Sequence, residues 1–175
     1  DVTGVQTCAL PIFIEGKAGF QIMGDWAKGE FTAAGKVPGV DYYCAATPSN
    51  NGYLYNVDSF IFYKSSDPDK QAGQKLLAKL MMGKNFQKVF NLYKGSIPAR
   101  LDVSMDEFDK CAKTSNADIK TAGASGGLVP SFAHGMAQGN TMKAALQDII
   151  TEHFNSDMSS VDAANALADS VLANM

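Results

Sequence analysis

Five side chains stand out because they are aromatic or polar at positions where a core would be apolar. They are Trp26, Asn56, Asp58, Lys94 and His134. Together they offer one flat aromatic face, one carboxylate that accepts hydrogen bonds, one amide that donates and accepts, and two nitrogen donors. A flat face with convergent polar groups is what a small polar ligand requires. These five residues are therefore the informative positions of the sequence.

Each of these side chains also has an ordinary structural explanation. A single tryptophan most often belongs to a core, and Asp58 can satisfy backbone donors of its own loop. Lys94 can be a cation at a helix C-terminus, where the helix dipole favours it. His134 can be a loop histidine with a local partner. His153 lies in an amphipathic helical pattern with no polar cluster, and we assign it a structural role.

Catalytic or metal chemistry has less support in the sequence. Glycoside hydrolysis needs two carboxyl groups placed across one bond, and no spacing pairs the candidates Asp25, Glu30 and Asp58. The nucleophile motif GxSxG is absent. The cysteines form no CxxC and have no histidine at ligand spacing, so no zinc site is expected. We predict a protein that is not an enzyme and needs no cofactor or metal.

Length and composition indicate one compact domain or one large lobe. The chain has 175 residues, of which 46% are hydrophobic, and this is enough to bury a core. Its net charge of −3 gives no general reason to expect nucleic acid or an anionic membrane as a partner. No apolar run approaches the roughly 20 residues of a membrane span, so we do not expect a membrane-embedded protein.

Local patterns predict strands and helices in alternation. Short runs of β-branched and aromatic residues predict strands at 20–23, 42–46, 53–57 and 59–63. Helical spacing predicts helices at 25–34, 67–82, 85–92, 104–117, 140–154 and 160–172. The predicted helix starts include an Asp25 cap, Asp67 followed by Pro68, and a capping box from Ser104 to Glu107. Glycines 123, 126 and 127 predict a loop that carries Pro130 and His134. This order favours an α/β lobe.

Five motifs, in this order along the chain, carry a family resemblance: GKAGFQIMGDWAKGEF, NVDSF, FNLYKGSIPARLDV, LVPSFAHGMA and FNSDMS. Over Phe13 to Met175 the chain resembles the C-terminal lobe of extracellular solute-binding proteins of ABC sugar importers. The resemblance is strongest to the periplasmic glucose/mannose-binding group. Any one of these motifs alone would mean little.

The resemblance implies a fold and a function. The fold is the C-terminal lobe, residues 13–175, of a two-lobed, type II periplasmic binding protein, rich in helix with a small sheet. The function is to bind a monosaccharide, glucose by expectation, in a cleft between two lobes and to deliver it to the transmembrane subunits of a permease. The intact protein is expected to be a periplasmic monomer. A sugar-binding module for chemoreceptor signalling, or a lobe of a glycan-processing enzyme, remains the alternative.

The resemblance also implies roles for individual residues. Trp26 would stack on the apolar face of the sugar ring, and Asp58 would accept hydrogen bonds from two hydroxyls. Asn56 would donate and accept, and Lys94 and His134 would donate to sugar oxygens. Further contacts are expected from the other lobe.

The first twelve residues do not fit the resemblance. Residues 2–12, VTGVQTCALPI, look like a translated sequencing adapter, so we expect residues 1–12 to be an unstructured artefactual leader before a truncated gene. Spacing alone leaves Cys44 and Cys111 either a pair or two unrelated thiols. The periplasmic location that the resemblance implies favours a disulfide between them, with Cys8 discounted as part of the leader.

Overall fold

A computed structural model describes residues 9–48 and 52–174 of the chain, which divides into two compact units. Unit 1 contains Asp1–Asn50 and Ser59–Ser125, and unit 2 contains Asn51–Asp58 and Gly126–Met175. Residues 9–14 are helical and are called α1. The other elements are a 3-10 turn at Asp25–Ala27, α2 (Lys28–Ala33), β1 (Tyr53–Tyr55), α3 (Pro68–Met81), α4 (Lys84–Lys94), α5 (Lys110–Ser125), β2 (Leu128–Pro130), α6 (Asn140–Asn155) and α7 (Ser160–Asn174). The fold is thus α/β and helix-rich with a small parallel sheet, as predicted.

The predicted helices α3, α4, α6 and α7 are confirmed. The Asp67 carboxylate accepts hydrogen bonds from the backbone N–H groups of Asp69 and Lys70 at 2.9 and 3.3 Å, and Pro68 occupies the first position of α3. Helix α4 ends at Gly95, whose φ of +89° closes the helix in the left-handed conformation. Helices α6 and α7 pack against each other in unit 2 and match the prediction closely.

An aromatic cluster forms one core of unit 1. Phe31 lies 4.7 Å from Tyr42 and 5.6 Å from Phe13, measured between ring centroids. Leu10 of α1 also packs against this cluster. Residues 9–12 are thus helical and not unstructured as expected, because Leu10, together with Phe13 and Ile14, covers this core. Residues 1–8, which include Cys8, lie outside the described part of the chain.

A buried ion pair joins α2 to the start of α5. Lys28 is only 5% exposed, and its Nζ lies 2.9 Å from Asp109 Oδ2. The other carboxylate oxygen of Asp109 accepts a hydrogen bond from the backbone N–H of Ala112 and so caps α5. The predicted capping box is therefore wrong: Ser104 bonds Asp106 instead, and the helix begins six residues later than expected.

The predicted disulfide is confirmed. Cys44 and Cys111 are bonded, with their α-carbons 5.7 Å apart. Tyr42, just before Cys44, is buried, and this burial together with the charge of Asp109 raises the pKa of Tyr42 to about 12. The disulfide holds the segment after Tyr42 against the first turn of α5, which contains Cys111.

Three of the predicted strands are wrong, and one strand was missed. Residues 20–23 and 59–63 have no regular structure, and of 42–46 only Tyr42 forms an isolated bridge, with Pro38. The strand predicted at 53–57 is shortened to β1, and β2 lies where a loop was expected. Strand preference is not sufficient, because an extended segment needs a neighbour to receive its backbone hydrogen bonds. Among the described residues, only β1 and β2 supply this for each other over several residues.

None of the helices in the described ranges combines the length and the apolar character that crossing a bilayer requires.

The single histidine of α6, His153, has its Nδ1 2.9 Å from the carbonyl oxygen of Met158. This local bond agrees with the structural role expected for it.

The disulfide should be a major source of stability for unit 1. It closes a loop of 67 residues, and the chain-entropy model assigns such a loop about 4 kcal/mol. In a Cys8→Ser background, we expect reduction to lower the free energy of unfolding in urea by about 2–4 kcal/mol. The double variant Cys44→Ser/Cys111→Ser is the control, and reductant should not change its stability. An equal response of both proteins to reductant would contradict the prediction.

Candidate functional site

Three of the five predicted binding residues follow the paired strands of unit 2. Strands β1 and β2 are parallel, with Tyr53 opposite Leu128 and Tyr55 opposite Pro130. The backbone N–H of Ser131 donates to the Tyr55 carbonyl at 2.8 Å and extends the pairing by one residue. Because the carboxyl ends of parallel strands meet at one edge, the residues that follow both strands lie at the same edge of the sheet.

Local contacts fix the two segments at this edge. The backbone N–H of Val57 lies 3.1 Å from Met136 Sδ, and this contact joins the segment after β1 to the segment after β2. Asn56 Nδ2 donates to Asp58 Oδ1 at 3.3 Å. Asn56 and Asp58 are thus neighbours, as expected for polar residues two positions apart.

His134 is oriented by a residue that the sequence analysis did not single out. Its Nδ1 lies 2.7 Å from the hydroxyl oxygen of Ser131, which is only 3% exposed. The same hydroxyl accepts a hydrogen bond from the backbone N–H of His134 at 3.4 Å. The imidazole is exposed, and the contact of its Nδ1 with Ser131 restricts the orientation of the ring. The only sequence signal for Ser131 is its position three residues before the histidine, in Pro-Ser-Phe-Ala-His.

The other two predicted binding residues lie in unit 1, where the start of α2 meets the end of α4. Trp26 is the middle residue of the 3-10 turn that leads into α2, and it is half-buried. Its indole lies over the α-carbon of Gly24, where a Cβ would overlap the ring. Position 24 therefore accepts only glycine if the indole is to keep this orientation.

Two glycines allow α2 and α4 to approach closely. A Cβ at Gly95 would lie 2.5 Å from the backbone nitrogen of Gly29, and a Cβ at Gly29 would lie 2.7 Å from the carbonyl oxygen of Lys94. The Lys94 ammonium is 5.9 Å from the centre of the Phe90 ring. The close approach of the two glycines fixes the backbone of Lys94 beside the first turn of α2, next to the turn that carries Trp26.

Asp25 supports this junction. Its carboxylate accepts a hydrogen bond from the backbone N–H of Ile97 at 2.9 Å, so it joins the turn before α2 to the segment after α4. Burial raises the pKa of Asp25, and this effect exceeds the opposing influence of the Ile97 hydrogen bond and of the charges on Lys28 and Lys94. The prediction that Asp25 caps α2 is wrong, because its carboxylate is used across the junction.

The predicted residues thus form two groups, with Trp26 and Lys94 in unit 1 and Asn56, Asp58 and His134 in unit 2. Two surface pockets of unit 1 contain none of them. One, of about 200 Å³, lies over the aromatic core, and the other, of about 410 Å³, lies against α3. These pockets lack the set of polar groups identified in the sequence, and we do not regard them as the candidate site.

Comparison with known proteins finds relatives that are named as binding proteins. The chain is 45% identical to a "probable sugar-binding periplasmic protein" of Brucella suis over 164 residues, which are 93% of this chain and 39% of the relative. It is 42% identical over 164 residues to a protein of the same name from Rhizobium meliloti, with the same coverage of both chains. No family model matches the chain.

A more distant relative comes from an archaeon. An "uncharacterized ABC transporter extracellular-binding protein" of Pyrococcus horikoshii is 36% identical over 148 residues, which are 84% of this chain and 32% of that protein. The chain spans about two fifths or less of the length of the relatives it matches.

The close approach of α2 and α4 can be tested with two glycine variants. Gly35 also has a positive φ, +72°, but a Cβ there would meet nothing within 4 Å. We therefore expect Gly35→Ala to lower the free energy of unfolding by about 1–2 kcal/mol through backbone strain alone. Gly95→Ala adds a steric clash with α2 and should cost about 1–3 kcal/mol more.

Urea unfolding followed by the fluorescence of Trp26 measures both effects. The fluorescence of folded Gly95→Ala should also differ from that of the parent, because α2 carries the Trp26 turn. Equal losses of stability in the two variants would show that the approach of the helices is not tightly constrained.

Proposed function

We propose that this chain is part of the substrate-binding protein of an ABC importer, located in the periplasm, and that it binds a monosaccharide, with glucose as the expected ligand. The observation that carries the proposal is the similarity over 93% of the chain to proteins named as probable sugar-binding periplasmic proteins. Three of the predicted binding residues follow the paired strands at their carboxyl edge, and this supports the proposal, because open α/β sheets bind ligands at such edges.

The groups of unit 2 match the chemistry of a sugar. Each hydroxyl of a sugar both donates and accepts a hydrogen bond. Asp58 accepts from two adjacent hydroxyls, and Asn56 donates to one and accepts from another. His134, whose ring is oriented by Ser131, donates to a third oxygen. Bonds to the charged carboxylate are the stronger ones.

The two predicted binding residues of unit 1 also have side chains that suit a sugar. Trp26 offers a flat apolar surface for the C–H groups on one face of the sugar ring, and Lys94 donates to a sugar oxygen. Both are held at the junction of α2 and α4 before ligand arrives, since Gly24, Gly29 and Gly95 fix the local backbone. Such preorganisation reduces the entropy lost on binding.

Delivery of the sugar to the permease then follows from closure of two lobes, and the bound sugar is not chemically changed. A ligand that contacts both walls of a cleft stabilises the closed form, and the transmembrane subunits of the permease recognise that form. The relatives are more than twice as long as this chain, which leaves ample length for a second wall. The use of Asp25 in the α2–α4 junction weighs against the alternative of glycan hydrolysis, since it removes one of the three carboxyl candidates.

Replacing the matched 164 residues of the Brucella suis relative by those of this chain produces a protein in which the site can be tested. We expect Asp58→Ala and His134→Ala each to weaken sugar binding roughly 10- to 100-fold, because each removes hydrogen bonds worth about 1.5–3 kcal/mol. His153→Ala is the matched control, because this histidine lies in α6 and bonds Met158.

Calorimetric titration with glucose, galactose and mannose measures these affinities, and chromatography of the recovered sugar shows whether it is unchanged. Parental affinity in Asp58→Ala would remove this residue from the site. Conversion of the sugar into a product would refute a purely binding role.

The isolated chain should bind sugar weakly. An enclosed site buries about 70–90% of a small ligand, whereas one wall of a cleft leaves a large part of the ligand in water. We expect the affinity of the isolated chain to be at least about 100-fold below that of the hybrid, which corresponds to the loss of one or two charge-assisted hydrogen bonds. The two proteins are titrated side by side. Micromolar or tighter binding by the isolated chain would contradict the closure of two lobes.

A further inference from the structure

The carboxylate of Asp25 lies where the turn before α2 meets the segment after α4. It accepts hydrogen bonds from two backbone N–H groups, that of Ile97 at 2.9 Å and that of Trp26, the next residue in the chain. Ile97 follows Lys94 by three residues, and Trp26 and Lys94 are the two predicted binding residues of unit 1. Asp25 is therefore bonded to the backbone of one of them and to the backbone that continues from the other.

Two cations from two helices act on this carboxylate. The positive charges of Lys28 on α2 and of Lys94 on α4 both favour its ionised form. Lys28 has a further anion in contact, because its Nζ lies 2.9 Å from Asp109 Oδ2 at the start of α5. Burial and the charge of Asp109 raise the pKa of Tyr42 to about 12, so this neighbour carries no charge at neutral pH. The charge of Asp25 thus acts chiefly on the ammonium of Lys94.

The ionised form of Asp25 lowers the stability of the fold. Burial raises the pKa of this carboxyl group, and this effect exceeds that of the two N–H donors and the two cations. A carboxyl group whose pKa is raised on folding stabilises the fold when it is protonated, and this contribution is lost as the pH rises through the folded pKa. A residue that only joined α2 to α4 would therefore do so better as an amide, because the oxygen of an asparagine also accepts the N–H of Ile97.

We propose that Asp25 is a positioning residue of the sugar site, whose ionised carboxylate holds the Lys94 ammonium near the turn that carries Trp26. It acts through these two residues, by setting the geometry in which the indole and the ammonium meet one sugar ring. This inference rests on the proposed function and deepens it. Its consequence is that the charge of Asp25 changes affinity and stability in opposite directions: the ionised form binds sugar more tightly and folds less stably.

The stability of the full chain, without sugar, gives the first measurement. Trp26 is the only tryptophan, so its fluorescence reports urea unfolding of unit 1. We expect Asp25→Asn to unfold at higher urea than the parent at pH 7, and this difference to shrink as the pH is lowered to about 4, where the parent carboxyl is protonated. Asp41→Asn is the matched control, because the exposed Asp41 also accepts a backbone N–H, from Val37 at 2.7 Å. It should not raise the urea midpoint.

Sugar affinity is measured by calorimetry in the hybrid with the Brucella suis relative. We expect Asp25→Asn to weaken the binding of glucose about tenfold at pH 7, and Asp41→Asn to leave it unchanged. The titration of His134 and Asp58 affects parent and variant alike, so the ratio of their two affinities isolates the charge of Asp25. This ratio should fall toward one as the pH is lowered, because the parent then loses the same charge that the variant lacks.

The emission spectrum of Trp26 provides a measurement that needs neither sugar nor a variant. In the parent chain we expect the spectrum to shift as the pH is lowered, because protonation of Asp25 releases the Lys94 ammonium and loosens the turn of Trp26. In Asp25→Asn this shift should be absent. If the variant does not fold, the pH titration of the parent chain decides, and a spectrum that does not change before the chain unfolds would overturn the proposal.

Two further results would overturn the proposal. One is a loss of stability in Asp25→Asn that accompanies its loss of affinity, which would show that the residue only supports the fold. The other is parental affinity of Asp25→Asn at pH 7. A parent hybrid that binds no sugar at all is a different result, because it refutes the proposed function itself, whereas equal binding by parent and variant refutes only the role of Asp25.

Discussion

The backbones of Gly29 and Gly95 meet with no room for a Cβ at either position, and most of unit 1 depends on this approach. It brings the end of α4 onto the first turn of α2, where Asp25 can receive the N–H of Ile97. It also lies next to Lys28, whose buried ammonium reaches across to Asp109 at the start of α5. A buried ammonium must keep its partner, so α2, α4 and α5 are linked through one small region. Trp26 and Lys94 lie in this region, and their orientation is a consequence of how the helices pack.

In unit 2, the predicted binding residues are positioned by strand pairing instead of helix packing. The pairing of β1 and β2 is short, but it places the segments that follow both strands at one edge. The contact of Val57 with Met136 and the hydroxyl of Ser131 then restrict these segments locally. This arrangement does not require that Asn56, Asp58 and His134 all contact one another. The polarity of the parallel pair is sufficient to bring them to the same side.

The unpaired segments 20–23, 43–46 and 59–63 and the paired strands β1 and β2 follow from the same physical requirement. An extended segment is stable only when its backbone groups are satisfied and one of its faces is covered. Residues 53–55 meet both conditions through β2. Residues 20–23 and 59–63 have strand-forming residues and anchored ends but no neighbour among the described residues. The disulfide from Cys44 to Cys111 keeps one further segment in place while its backbone remains unpaired.

The sequence by itself determined where most of the helices lie, because a helix satisfies its hydrogen bonds within its own segment. Of the start signals in the sequence, Asp67–Pro68 does begin α3, whereas the Asp25 cap and the Ser104–Glu107 capping box are not formed. The disulfide was also predictable, although only through the family resemblance and the oxidising location that it implies. Tertiary structure alone decided which strand-like segments became strands, since pairing joins residues far apart in the chain. It also decided the role of Asp25, because a carboxylate before a helix can cap it or bind elsewhere, and only packing brings the N–H of Ile97 within reach.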